Sequence, residues 1–71
     1  MAVWIILAMK KDRFYYKVGE IEADTENLWE YGRVLCKAYD MQSKGELEIP
    51  FDWLTLYAVP DDPKYRHLYR Y

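Results

Sequence analysis

Residues 2–9 read Ala2-Val-Trp-Ile-Ile-Leu-Ala-Met9, eight apolar side chains in a row, and then Lys10-Lys11-Asp12 break the run. A run this short cannot cross a bilayer as a helix. Its β-branched Ile5 and Ile6 beside Trp4 favour a strand over a short buried helix. Apolar residues on both phases ask for cover on both faces, so this strand belongs in the middle of a sheet.

The neighbouring segments supply the rest of that sheet. Residues 13–23 alternate, with Phe14, Tyr16 and Val18 on one side and Tyr15 and Lys17 on the other. Gly19 interrupts the pattern, and Ile21 and Ala23 resume on the opposite phase. A glycine at a phase change is the signature of a β-bulge. With a turn at residues 10–12, the two strands form a hairpin. Asp24-Thr25-Glu26-Asn27 then opens a helix, with Asp24 or Thr25 as cap. The helix runs over residues 25–43 on a stripe of Leu28, Gly32, Leu35 and Tyr39, widened by Tyr31, Ala38 and Gln42, and Gly45 follows as its C′ residue. Residues 52–59 form a third strand, which Pro60 stops. Asp62-Pro63 starts a short C-terminal helix in the tail, residues 62–71.

The order is therefore β-β-α-β in a single α+β domain covering residues 1–71. A right-handed crossover through the helix sets the second and third strands on either side of the first. The predicted sheet is three-stranded and antiparallel, in the order 2-1-3. One face, with Val3, Ile5, Leu7, Phe14, Tyr16, Val18, Leu54, Leu56 and Ala58, meets Leu28, Leu35 and Tyr39 of the helix. The other carries Trp4, Ile6, Tyr15, Lys17, Trp53, Tyr57 and Val59. Three things can cover that second face: the tail, through Tyr65, Leu68 and Tyr69; a second copy of the chain; or another partner or ligand.

Composition narrows the function. The chain has 71 residues and 18% aromatics, three Trp, eight Tyr and two Phe, which argues against disorder. A chain of this length buries only about 60% of its unfolded surface, so a homodimer is expected to supplement a thin core. Cys36 alone makes no intrachain disulfide, and one Cys with one His makes no structural zinc site. Cys36 is read as helix packing and His67 as a solvated tail residue. The lone thiol and the absence of a leader pattern predict an intracellular, cytoplasmic protein without membrane attachment. No Ser-His-Asp set, CxxC pair, HExxH motif or glycine-rich phosphate loop occurs, so neither catalysis, a cofactor nor a metal is expected.

Charge is arranged in blocks: +3 over residues 1–19, −5 over 20–32, +2 over 33–45, −5 over 46–62 and +3 over 63–71. The block Glu20, Glu22, Asp24, Glu26 and Glu30 reads as a solvated edge strand and helix start, or more sharply as an acidic surface that meets a basic partner or imitates nucleic acid. Asp61-Asp62 reads as a turn and cap. The basic tail with interleaved tyrosines, joined by Lys10, Lys11, Arg13 and Lys17, has the chemistry of a base- and phosphate-binding strip. The net charge of −2 and a pI near 5.3 weigh against it.

The leading expectation is a small protein-binding module that blocks or modulates a partner through an aromatic surface. Phage-encoded inhibitors of host machinery are proteins of this general type, an analogy that no motif here carries. The alternatives are a dimeric nucleotide or small-ligand binder and a single-stranded nucleic-acid binder. The candidate contact residues are Trp4, Tyr15, Lys17, Trp53, Tyr57, Arg66, Tyr69 and Arg70.

Overall fold

The computed structural model describes residues 2–24 and 27–70, apart from the Leu28 side chain. The expected caps and first turn at Thr25 and Glu26, and Tyr71, lie outside the described residues. The molecule is α+β, with strands β1 (Ala2–Lys10), β2 (Tyr15–Ala23), β3 (Trp53–Pro60) and β4 (Tyr69–Arg70) and one helix, α1 (Tyr31–Ser43). The sheet differs from the expected one. It has four strands in the order β3-β1-β2-β4, and it is mixed, because β4 runs parallel to β2. Two residues, Tyr69 and Arg70, make that fourth strand, which is too short to leave a period in the sequence.

β1 lies between β2 and β3, antiparallel to each. The turn between β1 and β2 is closed by Arg13 N–H donating to the Lys10 carbonyl at 2.9 Å and Phe14 N–H donating to Asp12 Oδ1 at 3.0 Å. The register slips between Ile6, opposite Gly19, and Leu7, opposite Lys17, which places the bulge at Val18. Gly19 serves a packing need there. Leu47, from the connection after α1, sits so close that a Cβ on Gly19 would lie 2.5 Å from Leu47 Cδ2.

The helix begins later than its pattern suggests. A 3-10 turn, Leu28–Glu30, precedes α1, and Asn27 starts it, with Oδ1 accepting from Trp29 N–H at 3.0 Å. Asp24 has no place in this cap. At the other end Gly45 adopts φ +75°, Gly45 N–H donates to the Gln42 carbonyl and Glu46 N–H to that of Met41. This is the Schellman arrangement that needs a left-handed C′ residue.

The core corrects the expected faces. Against α1 lie Trp4, Ile6 and Ala8 of β1, Ile21 of β2 and Leu56 and Ala58 of β3. Val3, Ile5 and Leu7 point the other way, with Tyr15, Val59 and Tyr69. Both phases of β1 are apolar, so alternation does not choose between them. Volume does: Trp4 is fully buried, and a side chain of that size needs the thicker layer formed by α1 and the segment after it. Ala8, Ala38 and Ala58 are small enough to let the helix approach. A second register shift, between Met9 and Lys10, turns Trp53 towards the helix side as well. The helix stripe is Tyr31, Val34, Leu35, Ala38 and Met41; a Cβ on Gly32 would point into open space, and Tyr39 is half-exposed. Phe14 and Leu54, expected in the core, are half-exposed too, and Cys36 is exposed instead of packed.

The tail covers part of the second face. Asp62 Oδ1 accepts from Lys64 N–H at 3.0 Å, Pro63 occupies the first position, and the short helix expected here forms as a 3-10 helix, Pro63–Leu68. The chain then joins the outer edge of β2 as β4, and Tyr69, 7% exposed, packs on Ile5 and Leu7.

The two long edges of the sheet are treated differently. β3 is an outer strand, and its Leu56 and Ala58 N–H groups point away from β1. The Tyr39 hydroxyl accepts from Leu56 N–H at 3.3 Å, and the Tyr31 hydroxyl lies close enough to Ala58 N–H to be influenced by it. Pro60, next on the same side, has no N–H to offer. Two tyrosines one helical face apart and a proline therefore occupy this edge. On the β2 side, β4 pairs only with Tyr15 and Tyr16.

Candidate functional site

Where the tail leaves the second face uncovered, a groove of about 580 Å³ remains, lined by Leu7, Tyr15, Tyr31, Tyr57, Ala58, Val59 and Leu68. Each wall has a separate origin. β1 supplies the floor through Leu7, which is buried. β2 and β3 supply Tyr15 and Tyr57, whose rings meet edge to face with centroids 5.2 Å apart and an interplanar angle of 90°. That geometry is the favourable one for two aromatic quadrupoles. Tyr31 reaches the groove from α1 around the β3 edge, and Leu68 closes it from the end of the 3-10 helix. Tyr57 and Leu68 remain 39% and 44% exposed, so the groove is open along one side.

The polar groups in it are phenols. Burial is the largest cause holding the Tyr15 hydroxyl above its ordinary pKa, and Tyr57 beside it adds to the effect. Burial also raises Tyr31, with Tyr57, Tyr39 and Tyr15 contributing; the Ala58 N–H works in the opposite direction. At neutral pH both are uncharged hydroxyls on an apolar wall.

The expected contact residues are dispersed. Tyr15 and Tyr57 come together in the groove. Trp4 is buried beneath α1, and Trp53 is half-buried on that same side. Tyr69 serves as cover for Ile5 and Leu7. Lys17 pairs with Glu20 at 2.6 Å. Arg66 lies exposed, 3.8 Å from Asp61, and the Arg70 guanidinium stacks 4.1 Å above the Phe14 ring. Lys10 is likewise engaged, over the Tyr16 ring at 4.8 Å and beside Asp52 at 4.0 Å. The lining residues missing from the expected set are Leu7, Tyr31, Ala58, Val59 and Leu68. Tyr31 and Tyr39 stand eight apart, on neighbouring lines of the helix, and that repeat is the one sequence signal that both reach the same strand.

A second, smaller concavity of about 380 Å³ lies between β2 and α1, over Ile21, Ala23 and Val34. Glu22, Asp24, Glu30, Arg33 and Lys37 rim it. Arg33 is 3.5 Å from Glu30.

Among the described residues no three His, Cys, Asp or Glu side chains converge as metal ligands, and no helix is long and apolar enough to cross a membrane. No protein-family model, no curated protein and no solved structure matches the chain.

Proposed function

We propose that this chain is a non-enzymatic binding protein that takes an apolar anchor of a protein partner into the Tyr15–Tyr31–Tyr57 groove and so occludes part of that partner's surface. The observation that carries the reading is an open apolar groove, walled by uncharged phenols, on a sheet face that the tail covers in part. Tyrosine offers a large rigid contact area with one polar tip and is common where binding energy concentrates. The groove's titratable groups are phenols, with no base beside a nucleophile, which supports binding over catalysis.

A small ligand fits less well. Such ligands are usually about 70–90% buried in their sites, and a groove open past half-exposed Tyr57 and Leu68 leaves one side of a small molecule wet. An anchor residue arrives with its own flanking chain to cover that side.

The test is affinity enrichment from the native host, comparing the parent chain with Tyr57→Ala, Leu68→Ser and, as a control outside the groove, Phe51→Ser. Thermal unfolding first verifies that each variant is folded. A partner lost with the two groove variants, by about 2 kcal/mol of affinity for Tyr57→Ala, and retained with Phe51→Ser is the expected result. Partners indifferent to Tyr57 and Leu68 would sink the proposal. A co-purifying small molecule displaced by the same two changes would transfer the groove to the ligand reading.

A further inference from the structure

We infer that the outer edge of β2, residues 18–23, accepts an extended segment of a basic protein partner as an added strand. This surface is separate from the tyrosine groove, and the two proposals stand or fall independently. The first observation is the contrast between edges. Tyr31, Tyr39 and Pro60 occupy the outer side of β3. Among the described residues β2 has a strand partner on its outer side only at Tyr15 and Tyr16.

Backbone alternation shows what that edge offers. Val3 gives its carbonyl to Asp61 N–H on the β3 side at 2.8 Å. Trp4, the next residue, therefore turns its polar groups towards its partner Ile21 on β2. Glu20 and Glu22 flank Ile21, so their N–H and C=O groups face outwards. An unpaired row of this kind is a template for another strand, and natural proteins normally block it. Among the described residues one edge is blocked and residues 18–23 of the other are not.

The side chains specify the occupant. Glu20 and Glu22 are exposed and project from the face that Ile5 and Val3 occupy. Residues directly opposite them in an added strand share that face; lysine or arginine there pairs with Glu22 and shares Glu20 with Lys17, which lies 2.6 Å from it. On the other face the added strand lies along the concavity over Ile21 and Val34, where small β-branched side chains fit between apolar floor and polar rim. The preferred segment alternates basic and small β-branched residues. A second copy of this chain is a poor occupant: antiparallel self-pairing centred on Ile21 sets Glu20 of one copy against Glu22 of the other, like charges face to face.

Three synthetic peptides test this: one alternating lysine and threonine, one alternating glutamate and threonine, and the lysine peptide with a central proline. Binding is read by amide chemical shifts and by fluorescence anisotropy, with the parent chain and with Glu20→Lys/Glu22→Lys. An amide spectrum unchanged outside β2 establishes that the variant is folded. The expected result is saturable binding of the lysine peptide with shifts centred on residues 18–23. The proline peptide should bind at least tenfold more weakly, since proline removes a ladder donor. The charge-reversed variant should lose the lysine peptide by a similar factor and gain the glutamate peptide. No saturable binding at millimolar peptide overturns the inference, as do shifts centred on β3 or the tyrosine groove. Equal binding of the proline peptide overturns it too, because the acidic surface would then recognise charge without strand pairing.

Discussion

Gly19 is where a single missing methyl group decides local structure. It stands beside the bulge, opposite Ile6, under the Leu47 side chain. Elsewhere in a strand, replacing glycine by alanine usually helps, because the unfolded chain loses freedom. Here the new Cβ would lie 2.5 Å from Leu47 Cδ2, and Leu47 is itself buried, so the leucine must move within a packed cluster. Gly19→Ala is therefore expected to destabilise the fold by about 1–3 kcal/mol, the usual cost of overpacking. The cause is separable by a double-mutant cycle with Leu47→Ala in denaturant unfolding. If the clash is the reason, alanine at position 19 costs much less once Leu47 is shortened, with a coupling of at least about 0.5 kcal/mol. Purely additive losses would show that the backbone at the bulge, and not Leu47, excludes a side chain.

At the scale of elements, α1 has two duties: it covers the sheet with Val34 and Ala38, and it closes the β3 edge with Tyr31 and Tyr39. The second duty predicts that Tyr31→Phe and Tyr39→Phe, which keep the rings and remove the hydroxyls, each cost about 1 kcal/mol. Together they should increase concentration-dependent self-association, because two edge N–H groups are then offered to a neighbouring chain. Sedimentation and urea unfolding of the double variant check both effects; an unchanged midpoint and an unchanged sedimentation profile would remove the hydroxyls from any protective role. The same elements show what alternation can convey. The bulge near Gly19, the C′ role of Gly45 and the Asp62-Pro63 start were legible, because each imposes a special residue on a local geometry. The facing of β1 was not, since Val3, Ile5 and Leu7 are as apolar as Trp4, Ile6 and Ala8. Trp53 was misplaced because the register shift beside Lys10 carries no glycine to announce it. Of the groove, Tyr15, Tyr57 and Val59 were legible as sharing one face. Leu7 was assigned to the opposite face, and the Tyr31 and Leu68 walls depend on where α1 and the tail come to rest, which is a tertiary outcome.

For the molecule as a whole, the ionisable groups bracket the range of pH over which the fold is most stable. On the acid side Asp12, at the β1–β2 turn, is held below its ordinary value of 3.8, first by the Tyr16 hydroxyl at 2.6 Å and then by Phe14 N–H. A carboxylate depressed in the folded state contributes stability above the unfolded value, and that contribution disappears as pH falls through the folded one. On the alkaline side Tyr15 and Tyr31, raised chiefly by burial, and Tyr16, raised chiefly by its bond to Asp12, lie above 10.0. The sign reverses: the folded chain holds these protons after the unfolded chain has released them. Their contribution is complete below 10.0 and is lost as pH rises through the folded values. Unfolding free energy measured by denaturant should thus be flat through neutrality and fall at both extremes. Tyr31→Phe should make the alkaline fall shallower by removing one linked proton, and Asp12→Asn should do the same for the acid fall. Phenolate absorbance provides a second readout. In the parent chain part of the tyrosine titration should be delayed until unfolding, and Tyr31→Phe should shrink that delayed part. An alkaline limb with the same slope in Tyr31→Phe as in the parent would mean that Tyr31 titrates freely, and with it that the groove wall is wet instead of buried.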